Sequence, residues 1–298
     1  MSRKGGVMGR LLAAVIVACL VPHAQDRFRT VYVTAVDSRG APVTDLSAAE
    51  FAVKEGGQSR AVVRAEPATA PLHVALLIDD NGTGIFRYSV ARFIDRLLGR
   101  GQFTISTVTG QPLKLVDYTA NVEALNEAVG KLTARPATPD GGQLLEAIFE
   151  AAKDFQRREA ARPIIVALTV GGEEHSTLPA RHVLDTLRQS GAALHVMIVS
   201  GGALRSTVTP TRPSALLEEN LNLSEVLGDG PRQSGGTHTE IVATTGVAGG
   251  LQQLADALTH QYRVDYAIPD GAKPSSRLSV SVKRKEVTLR APTAIPDR

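Results

Sequence analysis

The sequence predicts an α/β fold: a doubly wound, mostly parallel sheet, flanked by a small β-module built from both chain ends. Three observations predict it. Apolar runs at 72–78, 163–169 and 193–199 read as strands buried on both faces of a parallel sheet. Stripes of apolar residues at helical spacing separate these runs, as βαβ units require. Alternating, turn-punctuated segments occupy residues 28–66 and 262–290, and neither set has enough strands to be stable alone.

The composition is compatible with this fold and excludes others. At 298 residues, 43% hydrophobic and 21% charged, the chain can bury a sizeable core and matches neither collagen-like nor disordered sequences. A single cysteine, Cys19, excludes a disulfide scaffold. The pI of 9.1 comes from the start of the chain. Arg3, Lys4 and Arg10 lie in a segment without Asp or Glu, and the rest is formally neutral. The charge therefore implies no nucleic-acid or membrane-surface partner.

Residues 1–24 read as a signal peptide. A basic start precedes the apolar stretch Leu11–Val21, and Ala24 offers a cleavage point. Two alternatives are an N-terminal anchor and a lipobox at Ile16-Val17-Ala18-Cys19, in which Cys19 would carry lipid. Each places the protein outside the cytoplasm: periplasmic, secreted or on the cell surface. After signal removal no integral membrane segment is expected.

Residues 25–68 form the first β-segment. Its strands are expected at 28–36, 50–55 and 59–65, with turns at Asp37-Ser38-Arg39-Gly40 and Gly56-Gly57. Residues 69–260 carry the α/β unit. Its first buried strand ends at Asp79. Val90, Phe93, Ile94, Leu97 and Leu98 form a helical stripe, strands follow at 102–108 and 113–118, and Val122, Leu125, Val129 and Leu132 form the next stripe. Leu144, Leu145, Ile148, Ala152 and Phe155 make a third helix. Thr177 is the expected N-cap of a fourth, with Val183, Leu184 and Leu187 on its apolar face. Residues 200–237 are breaker-rich, with a short helix expected at 216–227. Leu251, Leu254, Ala255 and Leu258 mark the last helix. Residues 261–292 form the second β-segment, with exposed strands expected at 262–268 and 278–284 and a short one at 287–290. Residues 293–298 are a tail. The two β-segments are expected to pack together.

In open α/β sheets, ligands sit at the carboxyl ends of the strands. The first buried strand ends in Asp79-Asp80-Asn81-Gly82-Thr83-Gly84. An acid followed at +2 and +4 by amide and hydroxyl oxygens can fold around a hard cation. The simpler reading is a polar turn after a strand.

At this point the chain resembles the von Willebrand factor type A domain, and within it the exported bacterial subfamily termed VWFA-related acidobacterial domain. The resemblance is carried by 33–43 with Leu46-Ser47 and Glu50-Phe51, by Pro71 to Asp79, by Gly141-Gly142 to Ile148, by Leu168 to Ser176, and by Gln261-Tyr262 to Tyr266. It implies a Rossmann-like domain that binds a protein partner, with a metal-ion-dependent adhesion site holding magnesium. The carried-over ligands would be Asp79, Asn81 and Thr83. The position expected to supply a threonine is Gln143, and the one expected to supply a second acid is Val170. The site is thus degenerate, and with one carboxylate it would bind magnesium weakly. Asp80, Asp140, Glu173 and Glu174 are the acids able to compensate from nearby loops.

Other chemistries find little support. Gly82-x-Gly84 lacks the third glycine of a dinucleotide turn, since Arg87 stands there. His175 and His182 are not at zinc spacing, and no Gly-x-Ser-x-Gly elbow occurs. His73 and His195 fall inside buried-strand runs and read as satisfied core residues. The expected function is non-enzymatic adhesion or protein binding through loops 79–86, 138–143 and 170–177, with or without metal. The alternative is a periplasmic small-ligand binding protein, which should show two similar lobes and a hinge.

Overall fold

The computed structural model describes residues 27–108, 110–133, 142–200 and 213–296. The expected signal peptide, Cys19, Asp140 and most of the 138–143 loop lie outside the described residues. The first half of the chain runs β1 (Arg27–Val36), β2 (Phe51–Glu55), β3 (Gln58–Arg60), β4 (Val62–Pro67), β5 (Leu72–Asp79), α1 (Arg87–Leu97), β6 (Gly101–Thr107) and β7 (Leu113–Thr119). Then come α2 (Val122–Gly130), α3 (Leu144–Arg157), β8 (Arg162–Thr169), α4 (Ala180–Ser190), β9 (Ala193–Val199), α5 (Pro213–Ser234) and β10 (His238–Ile241). The chain closes with α6 (Gly246–Thr259), β11 (Tyr262–Ile268), β12 (Leu278–Val282) and β13 (Thr288–Arg290).

The central sheet has six strands in the order β10-β9-β8-β5-β6-β7. All neighbours are parallel except β6 and β7. Because side chains alternate across a strand, β5 and β8 feed two cores. Leu72, Val74, Leu76 and Ile78 meet α1, α2 and α6 on one face. Ala75 and Leu77 meet α3, α4 and α5 on the other. Every residue of β8 is buried, which accounts for its unbroken apolar run. The chain winds outward from β5 through β6 and β7, then returns to build β8, β9 and β10 on the other side. The winding direction reverses between β5 and β8.

The chain ends pair as strands. β1 lies antiparallel to β11 from Arg27 opposite Ile268 to Val33 opposite Tyr262, and β4 lies on the other edge of β11. β12 pairs with β2, which pairs with β3. Val31, Val33, Phe51, Val53, Tyr262, Val264 and Tyr266 form a common core between the two sheets. The Leu46 amide donates to the Tyr262 hydroxyl at 2.9 Å, and the rings of Phe51 and Tyr262 meet edge-on at 5.4 Å.

Four sequence expectations are corrected. β11 is a central strand with Tyr262, Val264, Tyr266 and Ile268 buried, not an exposed one; its alternation is that of a face turned inward. α5 does not stop at 227 but continues through Gly228, Gly230 and Pro231 to Ser234, since Val226 and Leu227 are anchored in the core. Gly230 lies close to Leu194, where a Cβ would come within 2.8 Å of its side chain. β10 is an additional strand at the sheet edge, pairing with β9. The cap of α4 is Pro179 and not Thr177; Asn222 of α5 accepts the Ala180 amide at 3.2 Å.

Candidate functional site

The reversal between β5 and β8 places Asp79 opposite Thr169 at the carboxyl edge of the sheet. The Thr169 hydroxyl donates to Asp79 Oδ2 at 2.6 Å and accepts the Gly171 amide at 2.9 Å. The Val170 amide donates to the Asp79 carbonyl at 3.0 Å. Asp79 retains some exposure as a residue, but its carboxyl group is enclosed. Burial pushes its pKa up to about 6, against the Thr169 hydrogen bond and aided by the Asp80 charge.

Asp80 shapes the loop that follows. Its carboxylate accepts the Gly82 amide at 2.9 Å and the Gly84 amide at 2.6 Å. Its carbonyl accepts the Thr83 hydroxyl at 2.7 Å. This is an Asx-type turn, and it needs left-handed backbone at Asn81 (φ 49°) and Gly82 (φ 74°), which Asn and Gly tolerate. Asn81 stays half-buried and Thr83 exposed on the outer surface.

The other two loops are joined through Gly142. Its amide donates to the Glu173 carbonyl at 3.0 Å, and its carbonyl accepts the His175 amide at 2.9 Å. Isolated bridges run from Gly110 to Gly142 and from Gly142 to Glu174. A Cβ on Gly142 would stand 3.2 Å from Asp79 Oδ1 and 3.4 Å from the Val108 carbonyl, so the close approach is easiest for glycine.

Glu174 is 2% exposed, and its carboxylate accepts the Leu144 amide at 3.0 Å and the Leu145 amide at 3.3 Å. It caps the start of α3, where Gln143 occupies the N-cap position without a side-chain bond. Burial raises its pKa to about 8 despite those two amides, and the charges of Asp79 and Glu146 push in the same direction. Sequence reading named Glu174 only as a nearby acid and did not name Thr169 as a site residue. Asp79 and Thr169 become visible as a pair only once the β5–β8 register is known.

These side chains do not fit a magnesium ion. Oδ2 of Asp79 is engaged by Thr169, and the Thr83 hydroxyl is directed to the Asp80 carbonyl. Asp80 and Glu174 spend their carboxylates on backbone amides. Val170 is 3% exposed and belongs to the apolar core beside α1 and α6, so it brings no oxygen from its side chain. Magnesium binds through carboxylates and water in near-octahedral geometry; among the described residues Asp79, Asp80 and Glu174 are each engaged by protein donors, and the Glu173 carboxylate lies 3.5 Å from His175.

His195 is buried as expected, but only half satisfied. Its Nδ1 lies 3.0 Å from the Thr237 hydroxyl, while Nε2 has no partner among the described residues. Burial, with the Arg290 charge, drives its pKa down to about 3.

No protein-family description and no curated protein matches the chain. Solved structures do. Proximal thread matrix protein 1 from the mussel byssus, with a zinc-occupied MIDAS motif, is 12% identical over 69% of this chain and 49% of its own, with a TM-score of 0.46. This chain thus spans about half the length of that protein. A von Willebrand factor type A protein from Catenulispora acidiphila is 12% identical over 92% of this chain and 76% of its own, with a TM-score of 0.45. The vWF domain of the type V pili tip protein Mfa5 from Porphyromonas gingivalis is 11% identical over 64% of this chain and 96% of its own, with a TM-score of 0.44. Identities this low attach no activity or partner to this chain.

Proposed function

We propose that the chain is an exported, non-enzymatic interaction protein of the von Willebrand factor type A kind. It docks a protein partner on the rim formed by the loops after β5 and β8 and the start of α3, without a metal ion. The observation that carries this reading is the Asp79–Thr169 hydrogen bond, with Gly142 as strut between loops. Together they preform the rim, and loops fixed on a rigid sheet bind with little ordering cost. The order of motifs along the chain supports the family, and the basic-then-apolar start supports export. The carboxyl groups of Asp79, Asp80 and Glu174 are all engaged by internal donors, which argues against a role as catalytic base.

A photoreactive residue in place of exposed Thr83 tests this reading against proteins of the cell envelope and culture medium. A specific adduct is expected from position 83 and none from a control at Arg100 on the opposite edge, in magnesium and in EDTA alike. Adducts that vanish in EDTA, or that form equally from both positions, contradict it.

A further inference from the structure

A crevice of about 290 Å³ opens on the edge of the sheet opposite Asp79, where β1 and the end of the chain face the starts of β8 and β9. Among the described residues its charged lining consists of three arginines, Arg29, Arg162 and Arg188, with no Asp or Glu. Two of the three are neutralised elsewhere: Arg29 by Glu55, and Arg188 by Asp185 at 3.4 Å.

Arg162 differs. It is 5% exposed, and its two Nη atoms donate only to neutral oxygens: Ala70 O at 2.9 Å, Ala68 O at 3.3 Å, Leu258 O at 2.8 Å and Gln261 Oε1 at 2.8 Å. Nε is buried without an acceptor, and the guanidinium lies 5.2 Å from the centre of the Tyr32 ring. The Leu258 carbonyl belongs to the last turn of α6, whose dipole offers partial negative charge. Among the described residues every hydrogen-bond partner of Arg162 is an uncharged oxygen. A buried cation held only by dipoles keeps its full formal charge, and an uncompensated buried charge is costly. A carboxylate entering the crevice would supply the missing anion. Leu184, Leu187 and Ile295 provide apolar wall beside it. The volume is close to the lower end of small-molecule sites.

We propose that this crevice binds a small organic carboxylate, its charge directed toward Arg162 and its apolar body along Leu184, Leu187 and Ile295. The site is separate from the rim and does not depend on the partner-binding reading.

Sodium hexanoate is the probe, with hexanamide and inorganic phosphate as comparisons at matched ionic strength. The readouts are the thermal midpoint and titration calorimetry. Hexanoate at ten times its dissociation constant is expected to raise the midpoint by about 3 °C and to saturate. Hexanamide and phosphate should do neither. Arg162→Gln should abolish binding. Since that change also removes bonds between the chain ends and the central sheet, Ala161→Trp provides the second variant. It fills the crevice from an exposed position and should abolish binding in a folded protein. No saturable binding of hexanoate overturns the proposal, as does equal binding of hexanamide or phosphate, or binding that survives Ala161→Trp.

Discussion

The Thr169 hydroxyl donates to the Asp79 carboxylate at 2.6 Å across the seam where the sheet reverses its winding. A hydroxyl at the end of β8 thereby serves as an internal tie. Thr169→Val keeps shape but leaves an enclosed carboxyl without its donor. It should cost about 2 kcal/mol in urea unfolding at pH 8, and less at pH 4, where the folded Asp79 is protonated and no buried charge is stranded. An equal loss at both pH values would assign the effect to packing.

Asp79 and Glu174 give stability a downward slope with pH. Their folded pKa values, about 6 for Asp79 and about 8 for Glu174, lie above the unfolded ones, so the native state holds the extra protons. Their contribution is fully present below about pH 4 and is lost as pH rises through the folded values. Asp79→Asn should remove about 2 kcal/mol of this slope between pH 4 and pH 7. A stability profile unchanged by the substitution would contradict the assignment.

His195 acts with the opposite sign. Its folded pKa near 3 lies below that of an unfolded histidine, so the unfolded state binds the extra proton. Stability should fall as pH drops from about 6.5 toward 3. His195→Gln should flatten that acid limb, measured by denaturant midpoints in an Asp79→Asn background.

Gly142→Ala forces a methyl group against Asp79 Oδ1 at 3.2 Å and the Val108 carbonyl at 3.4 Å. A loss of about 1–2 kcal/mol is expected, the range of modest overpacking. Faster amide exchange at His175, whose N–H bonds to the Gly142 carbonyl, would localise it to the rim.

β11 is paired on one edge by β1 and on the other by β4. Deleting residues 25–68 removes both partners and opens the core around Tyr262 and Tyr266. Limited proteolysis should then cut within 261–292 while residues 72–200 stay protected. Protection of 261–292 in the deletion variant would show that this segment stands without its pairing strands.

Much of the fold was legible because buried parallel strands leave apolar runs that nothing else explains: 72–78, 163–169 and 193–199 appear as β5, β8 and β9. The extension of α5 was not, since Gly228, Gly230 and Pro231 read as breakers, and the packing of Gly230 against Leu194 is a long-range contact that local pattern does not show. β10 has four residues and depends on pairing with β9, a contact that local pattern does not encode. In the site, Asp79 was visible from its position at a strand end. Thr169 was hidden beside Val170, and Glu174 caps a helix thirty residues earlier in the chain. Both roles arise from register and long-range contact, which no spacing rule reports.

On the proposed reading the rim is held by protein hydrogen bonds and needs no cation. The thermal midpoint of residues 25–298 in EDTA, then in millimolar magnesium, manganese or calcium, tests it most directly. A cation at about 100 times its dissociation constant would add about 2.7 kcal/mol, a shift of several degrees. The midpoint is expected to be the same in every condition. A magnesium- or manganese-specific rise that Asp79→Ala removes would contradict it.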